Sequence, residues 1–462
     1  MAYYTTMGKL PGKRHIQFRA PNGRLYSEEV FGTEGFTGPT STLYHINAPT
    51  QVCGWEPLYD AQPEYVEQNV MRMRHTRSSP MLPQGDPITG RVVLYGNADV
   101  EMGVCVPADG MDYHYKSVFD DCLFVHHGRG TLFTMFGAIP FGPKDYLVIP
   151  KGTIYRLVFE KPKADEPANK FIFMEAVNGS LILPPPRYLS KKSAQFLEHA
   201  PYCERDLRLP QLPMTFDERG DFEVRIKSRG WVHSYTYEYH PLDVVGWDGC
   251  VYPYAFNIDD FSPIVGKHHM PPPTHQTFEA HNFVICSFCP RPLDFHPQAI
   301  VVPYNHSNLD SDEVLYYVEG NYKARKGIEV GSLSLHPQGI PHGPHPGTPE
   351  ATIGATHTNE LAVMCDTFAP LYPTKAALDL DDLNYPRSWE TGWDGAPPAA
   401  AATEPTNAAK AAGKSGGRKA AGSKSTSAGT ASKGSASKGS ARKGAPKGKP
   451  GSITLKEANT WS

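Results

Sequence analysis

Residues 303–320 read PYNHSNLDSDEVLYYVEG and place His306, Asn308, Asp310, Asp312 and Glu313 within eight positions. A strand-forming run follows at once, in which Glu313, Leu315 and Tyr317 fall on one face because side chains alternate along a strand. A few residues on, GSLSLHPQGIPHGP (331–344) wraps His342 in Pro and Gly, a composition that makes a stiff turn able to hold an imidazole at a fixed angle. An acidic turn beside a strand is ordinarily just solvated surface. Here the spacing says more: His306-x-Asn308-x4-Glu313-x6-Gly320, then Gly331-x5-Pro337-x-Gly339-x2-His342.

These two strings resemble the paired motifs of the cupin superfamily, small antiparallel β-barrels that hold a metal inside. The pattern's second histidine is Asn308 here, which leaves His306, Glu313 and His342 as the expected metal ligands. Two imidazoles and one carboxylate on one face of an Fe(II) ion leave adjacent positions open, the arrangement used to bring a substrate oxygen and O₂ together. A looser copy of the pattern lies upstream: His114-x-Lys116-x4-Asp121-x6-Gly128, then Pro150-x-Gly152-x2-Tyr155, with Lys144 where the second string expects Gly. Lys and Tyr are poor replacements for neutral imidazole. The first repeat is therefore expected to be structural and metal-free.

The rest of the chain fits a mainly β protein. Its 44 Pro and 42 Gly separate short runs such as CLFVHHG, YLVIPKG and NFVICSF, which is the punctuation of a sandwich or barrel. The expected architecture is two cupin-type antiparallel β-barrels of the jelly-roll kind. Helices are expected to be few and peripheral, around EYVEQNVMRMRH (64–75) and LSKKSAQFLEHA (189–200). The division is read as 1–230 for an N-terminal β domain with the degenerate repeat, 231–397 for the metal-bearing domain, and 398–462 for a basic tail. That tail is rich in Ala, Gly, Ser and Lys and cannot bury enough apolar surface to offset the entropy of ordering, so it is expected to be disordered.

Of 45 Lys and Arg in the chain, 11 lie in 405–450 without any Asp or Glu; setting these and the Lys456/Glu457 pair aside leaves 33 basic against 47 acidic residues. An acidic body thus carries a basic tail, which reads as a solubilising tether or, alternatively, a weak nucleic-acid contact. No apolar run is long enough for a membrane span, and MAYYTTMGKLPGKRH (1–15) lacks the apolar core of a secretory signal. The cytoplasm is the expected compartment. Eight scattered cysteines, including the lone CxxC at Cys286 and Cys289, read as buried strand and turn rather than a disulfide framework or zinc knuckle.

Across roughly residues 1–385, GWDGCVYPYAFN (246–257), YNHSN (304–308) and SLSLHPQGIPHGP (332–344) together resemble the bacterial form of homogentisate 1,2-dioxygenase. The resemblance implies an Fe(II)-dependent enzyme of tyrosine and phenylalanine breakdown that opens homogentisate to maleylacetoacetate with O₂. It also implies a hexamer of paired trimers. The iron ligands would be His306, Glu313 and His342. Tyr322, in EGNY, falls at a substrate-binding tyrosine, while His336 and Asn308 match pocket residues that either touch substrate or orient ligands; His342 would also face the substrate. Familiar eukaryotic members have five residues between the first His and the Glu where this chain has six, so Asp312 competes with Glu313; the run to Gly320 favours Glu313. The catalytic histidine lies in GKHHMPPPTHQTF (266–278), where His268, His269 and His275 are candidates and His269 fits best. Rival readings are a cupin dioxygenase for a gentisate-like hydroquinone acid, and a non-catalytic double barrel whose tail binds nucleic acid.

Overall fold

The computed structural model describes residues 3–212, 214–302, 304–320, 327–390 and 392. Tyr322 and the basic segment 398–462 lie outside the described residues. The described part is mainly β, built as cupin-like jelly-roll sheets. Among the described residues, α-helix is confined to the five-residue segments Thr348–Thr352 and Lys375–Asp379.

Two sheets carry the repeated motif. In the eight-stranded sheet, Asp121–His127 lies between Asp145–Ile149 and Lys170–Glu175, antiparallel to both. In the six-stranded sheet, Asp312–Glu319 lies between Leu333–His336 and Leu361–Thr367, again antiparallel to both. The copies therefore share a local topology as well as a spacing. Each ends on its motif glycine with positive φ, Gly128 at 101° and Gly320 at 98°. A Cβ at Gly320 would stand 2.1 Å from the Asn359 carbonyl oxygen, so only glycine lets the strand turn there.

Alternation works as the pattern requires. On Asp312–Glu319, Val314 and Tyr316 join the main apolar core, while Glu313, Leu315 and Tyr317 turn to a cavity on the other face. Burial of the apolar set fixes the register, since a slip by one residue would exchange the two faces. A seven-stranded sheet and a four-stranded sheet, the latter including Thr40–His45 and Val244–Gly249, complete the larger β-structure. Cys286 is buried on the strand Phe283–Phe288 and Cys289 just after it, both as free thiols.

Both expected helices are corrected. In 64–75, Arg74 begins the strand Arg74–Thr76, which closes the six-stranded sheet beside Leu333–His336. Arg72 and Arg74 both pair with Asp381 from far along the chain, so tertiary partners decide that segment's conformation. In 189–200, Leu189 bridges Phe196 and Ser190 exchanges backbone bonds with Gln195 and Ala194, making a tight reversal. Tyr188 and Phe196 are both buried by that reversal, and a straight helix would carry one away from the other's core.

Candidate metal centre

His306 and His342 sit on separate turns that the backbone ties directly together. The amide of each donates to the carbonyl of the other, both at 2.8 Å, and the Gly339 amide donates to the Asn308 carbonyl at 2.6 Å. This two-residue ladder sets the imidazoles 4.3 Å apart between ring centres. The close approach needs Gly343, where a Cβ would stand 2.6 Å from Asn305 Oδ1. Neither turn alone makes a site; the reciprocal pair does.

Glu313 enters from the strand. Its Oε2 lies 3.7 Å from His306 Nε2 and 3.7 Å from His342 Nε2, and the three donor atoms fall within 4.8 Å of one another. His342 Nδ1 is 3.0 Å from the Ile340 carbonyl. A carbonyl only accepts, so Nδ1 carries the proton and Nε2 presents its lone pair. Among the described residues that Nε2 is buried without a hydrogen-bond partner, as expected of an atom made to bind a cation. One carboxylate oxygen and two imidazole nitrogens thus converge as a site fit for a divalent metal ion.

Asp312 is excluded from the set. Its two oxygens accept the amides of Gln338 and Leu371, each at 2.8 Å, on the opposite side of the strand. His336 is fully buried behind Glu313, with Nδ1 2.8 Å from Glu313 Oε1 and Nε2 3.1 Å from the Tyr385 hydroxyl. It also stacks on His342 at 4.7 Å between ring centres, so it packs against two of the three donor residues. Asn308 is half-buried and does not line the cavity; its carbonyl fixes the second turn.

Electrostatics favour an ionised Glu313. Burial pushes its carboxyl up, but the imidazoles of His306, His336 and His342 outweigh that and hold it well below the carboxylate range. Its cross-strand neighbour Asp366 is driven the other way, by burial first and then by the Glu313 charge. The Glu313 charge thus disfavours ionisation of Asp366.

The three candidate histidines separate cleanly. His269 lines the same cavity of about 200 Å³ as His306 and Glu313. Its Nδ1 lies 3.7 Å from Asp294 Oδ2 and its ring meets Tyr304 edge-on at 5.2 Å. Burial lowers its pKa despite the opposing pull of Asp294. His268 is exposed and stacks on His296. His275 is buried against Phe288, and burial takes its pKa down to about 3; it does not line the cavity.

Several site residues escaped the sequence reading. Tyr385 supports His336, and Trp389 stacks on His345 at 4.2 Å while donating to the Gly343 carbonyl at 3.1 Å. These two aromatic residues of Tyr385–Trp389 buttress the His342 turn. They lie some forty residues beyond the motif, and no spacing rule connects them to it. Arg291 and Tyr304, which also line the cavity, were equally invisible.

Comparison with known proteins bears on the same residues. Family models described as homogentisate 1,2-dioxygenase N-terminal and C-terminal match residues 5–258 and 258–395. A putative dioxygenase of Saccharolobus solfataricus is 36% identical over 85% of this chain and 100% of that one. A homogentisate 1,2-dioxygenase of Nitrobacter hamburgensis is 28% identical over 83% of this chain and 90% of that one. Among solved structures, a cupin 2 conserved barrel domain protein from Leptotrichia buccalis aligns with a TM-score of 0.28 at 10% identity, covering 65% of this chain and 98% of that one. With the two family models spanning its motifs and all three converging donors, the chain belongs to the homogentisate 1,2-dioxygenase family.

Proposed function

We propose that this protein is a ring-cleaving dioxygenase that converts homogentisate and O₂ to maleylacetoacetate, with Fe(II) held by His306, Glu313 and His342. The observation that carries this reading is the convergence of those three donors on a cavity that His269 also lines. Fe(II) held by these three residues would supply the activation of O₂ and of the phenol. Both oxygen atoms enter the product, so no external reductant is required.

The chain's own residues do the rest. The cavity, of about 200 Å³, is in the range of those that accept a benzene ring, about 150 Å³. Leu315 and Met364 give it an apolar wall against which the ring lies. His269, neutral near pH 7 because burial lowers its pKa, accepts the phenolic proton on Nε2. Asp294, facing Nδ1, then stabilises the imidazolium. Tyr322 positions the substrate by family resemblance, and His336 holds Glu313 in register. Assembly as a hexamer follows from the same resemblance, and the location is read as cytoplasmic; among the described residues no helix is long and apolar enough to cross a membrane.

A second reading keeps the site and changes the substrate to another hydroquinone-type acid, such as gentisate. It is favoured by the greater identity to a relative called only a putative dioxygenase than to a named homogentisate enzyme. Oxygen uptake by protein loaded anaerobically with Fe(II), with the ultraviolet spectrum of the product recorded, separates the two. Stoichiometric uptake with homogentisate alone supports the first reading and uptake with gentisate alone the second. Uptake with neither, despite bound iron, removes both. Salt-sensitive DNA retention lost on deleting 398–462, in an inactive protein, would favour the nucleic-acid alternative.

A further inference from the structure

Arg291 lines the cavity that His306, Glu313 and His269 also line. It begins the short strand Arg291–Pro292, which pairs with His357–Thr358 and so fixes the arginine's backbone from outside the motif turns. Its Nη1 donates to the Cys289 carbonyl at 3.1 Å, which uses one of the five N–H donors of a guanidinium. Among the described residues no carboxylate oxygen lies within 4.0 Å of it. Burial lowers its pKa, and Glu360 and Asp294 counter that only from longer range.

A half-buried cation without a contacting anion is costly, and the cost is relieved when an anion enters. Phe288, Leu315, Ala362 and Met364 line the same cavity, so an aromatic ring has an apolar surface to occupy beside the charge. The planar fork of arginine suits a carboxylate, which it can hold by two parallel bonds.

We infer that Arg291 is a specificity-determining residue, the receptor for the carboxylate of an aromatic acid whose ring lies in the metal-side cavity. The inference rests on reading that cavity as the dioxygenase site. It selects acids with a short anionic arm over neutral hydroquinones of the same shape.

The test compares homogentisate with its methyl ester, by anaerobic calorimetric titration of the full Fe(II)-loaded chain and then by oxygen uptake. Wild type should bind the acid about 10- to 100-fold more tightly than the ester, the range of one charge-assisted contact. Arg291→Met should bind both alike, at the wild-type affinity for the ester, with iron content and melting temperature unchanged. Arg291→Lys should restore part of the preference and serves as the readout if Arg291→Met does not fold. A wild type that does not prefer the acid overturns the inference, as does an Arg291→Met or Arg291→Lys protein that keeps the full wild-type preference. Equal weakening of acid and ester also overturns it, since that marks a merely structural arginine. Wild type that prefers the acid but takes up no oxygen overturns the dioxygenase reading and leaves this one standing; cleavage of acid and ester alike does the reverse.

Discussion

Glu313 has two oxygens with two duties. Oε1 is held by His336 and Oε2 is left for the cavity. His336 can hold Oε1 only while its Nδ1 carries the proton, and the Tyr385 hydroxyl, donating to Nε2, enforces that tautomer. The relay Tyr385–His336–Glu313 therefore aims Oε2 at the cavity. His336→Leu should weaken metal binding about 10- to 100-fold, the usual cost of losing such a partner, as read by competition against a chelator; unchanged affinity would show that the strand alone aims Glu313. Tyr385→Phe removes one neutral hydrogen bond, worth about 1 kcal/mol, and should have a smaller effect in the same assay. His306→Ala and His342→Ala should each abolish stoichiometric iron, whereas His269→Ala should retain iron and lose turnover. Near wild-type turnover in that last variant would return the base to His268 or His275.

The two motif strands show how one element tolerates opposite chemistry. At Glu313 the neighbouring strands present His336 and Asp366; at Asp121 they present Ile149 and Glu175. In the first half a protein cation sits among the motif side chains. Arg91 lies 2.7 Å from Asp121 and 3.4 Å from the Tyr155 hydroxyl, and Lys227 pairs with Glu175 and Glu101. Arg91 thus supplies the cation that Asp121 faces in the first copy. Arg91→Met would leave Asp121 buried without its cationic partner, and should cost about 3–5 kcal/mol in urea unfolding without changing iron stoichiometry; a loss below 1 kcal/mol would show that the pair is dispensable. The convergence of His306, Glu313 and His342 was legible in the sequence because its spacing is local: one strand, two turns, and glycines where the backbone must reverse. Arg91, Arg291 and Tyr385 were not, because each meets its partners from a distant part of the chain and carries no period of its own. The helices expected at 64–75 and 189–200 failed for the same reason: Asp381, and the packing of Tyr188 and Phe196 on Tyr202, overrode local preference.

For the whole molecule, buried imidazoles set the response to acid. His114, His126 and His275 each have a pKa pushed down to about 3, by burial first in every case, against about 6.5 in an unfolded chain. Between these values the unfolded state binds more protons than the folded one, so stability falls as pH falls, by about 1.4 kcal/mol per pH unit for each histidine. Asp120, raised to about 6 by burial, acts oppositely between its unfolded value near 3.9 and 6, and offsets one of the three. On the alkaline side, the carboxylates of Asp243 and Glu29 overcome burial to raise His45 to about 9. Its contribution is complete below about 6.5 and is lost as pH rises toward 9. Among these groups, stability is greatest near pH 6.5 and falls more steeply on the acid side, where the histidines outnumber Asp120. Urea midpoints measured at pH 5, 6 and 7 should therefore drop between 6 and 5 by more than they change between 7 and 6. In His126→Leu the slope between pH 5 and 6 should flatten by about 1.4 kcal/mol per unit, whatever the substitution does to absolute stability. A slope left intact by that change would mean that His126 is protonated at no cost in the folded protein, and that acid sensitivity arises elsewhere.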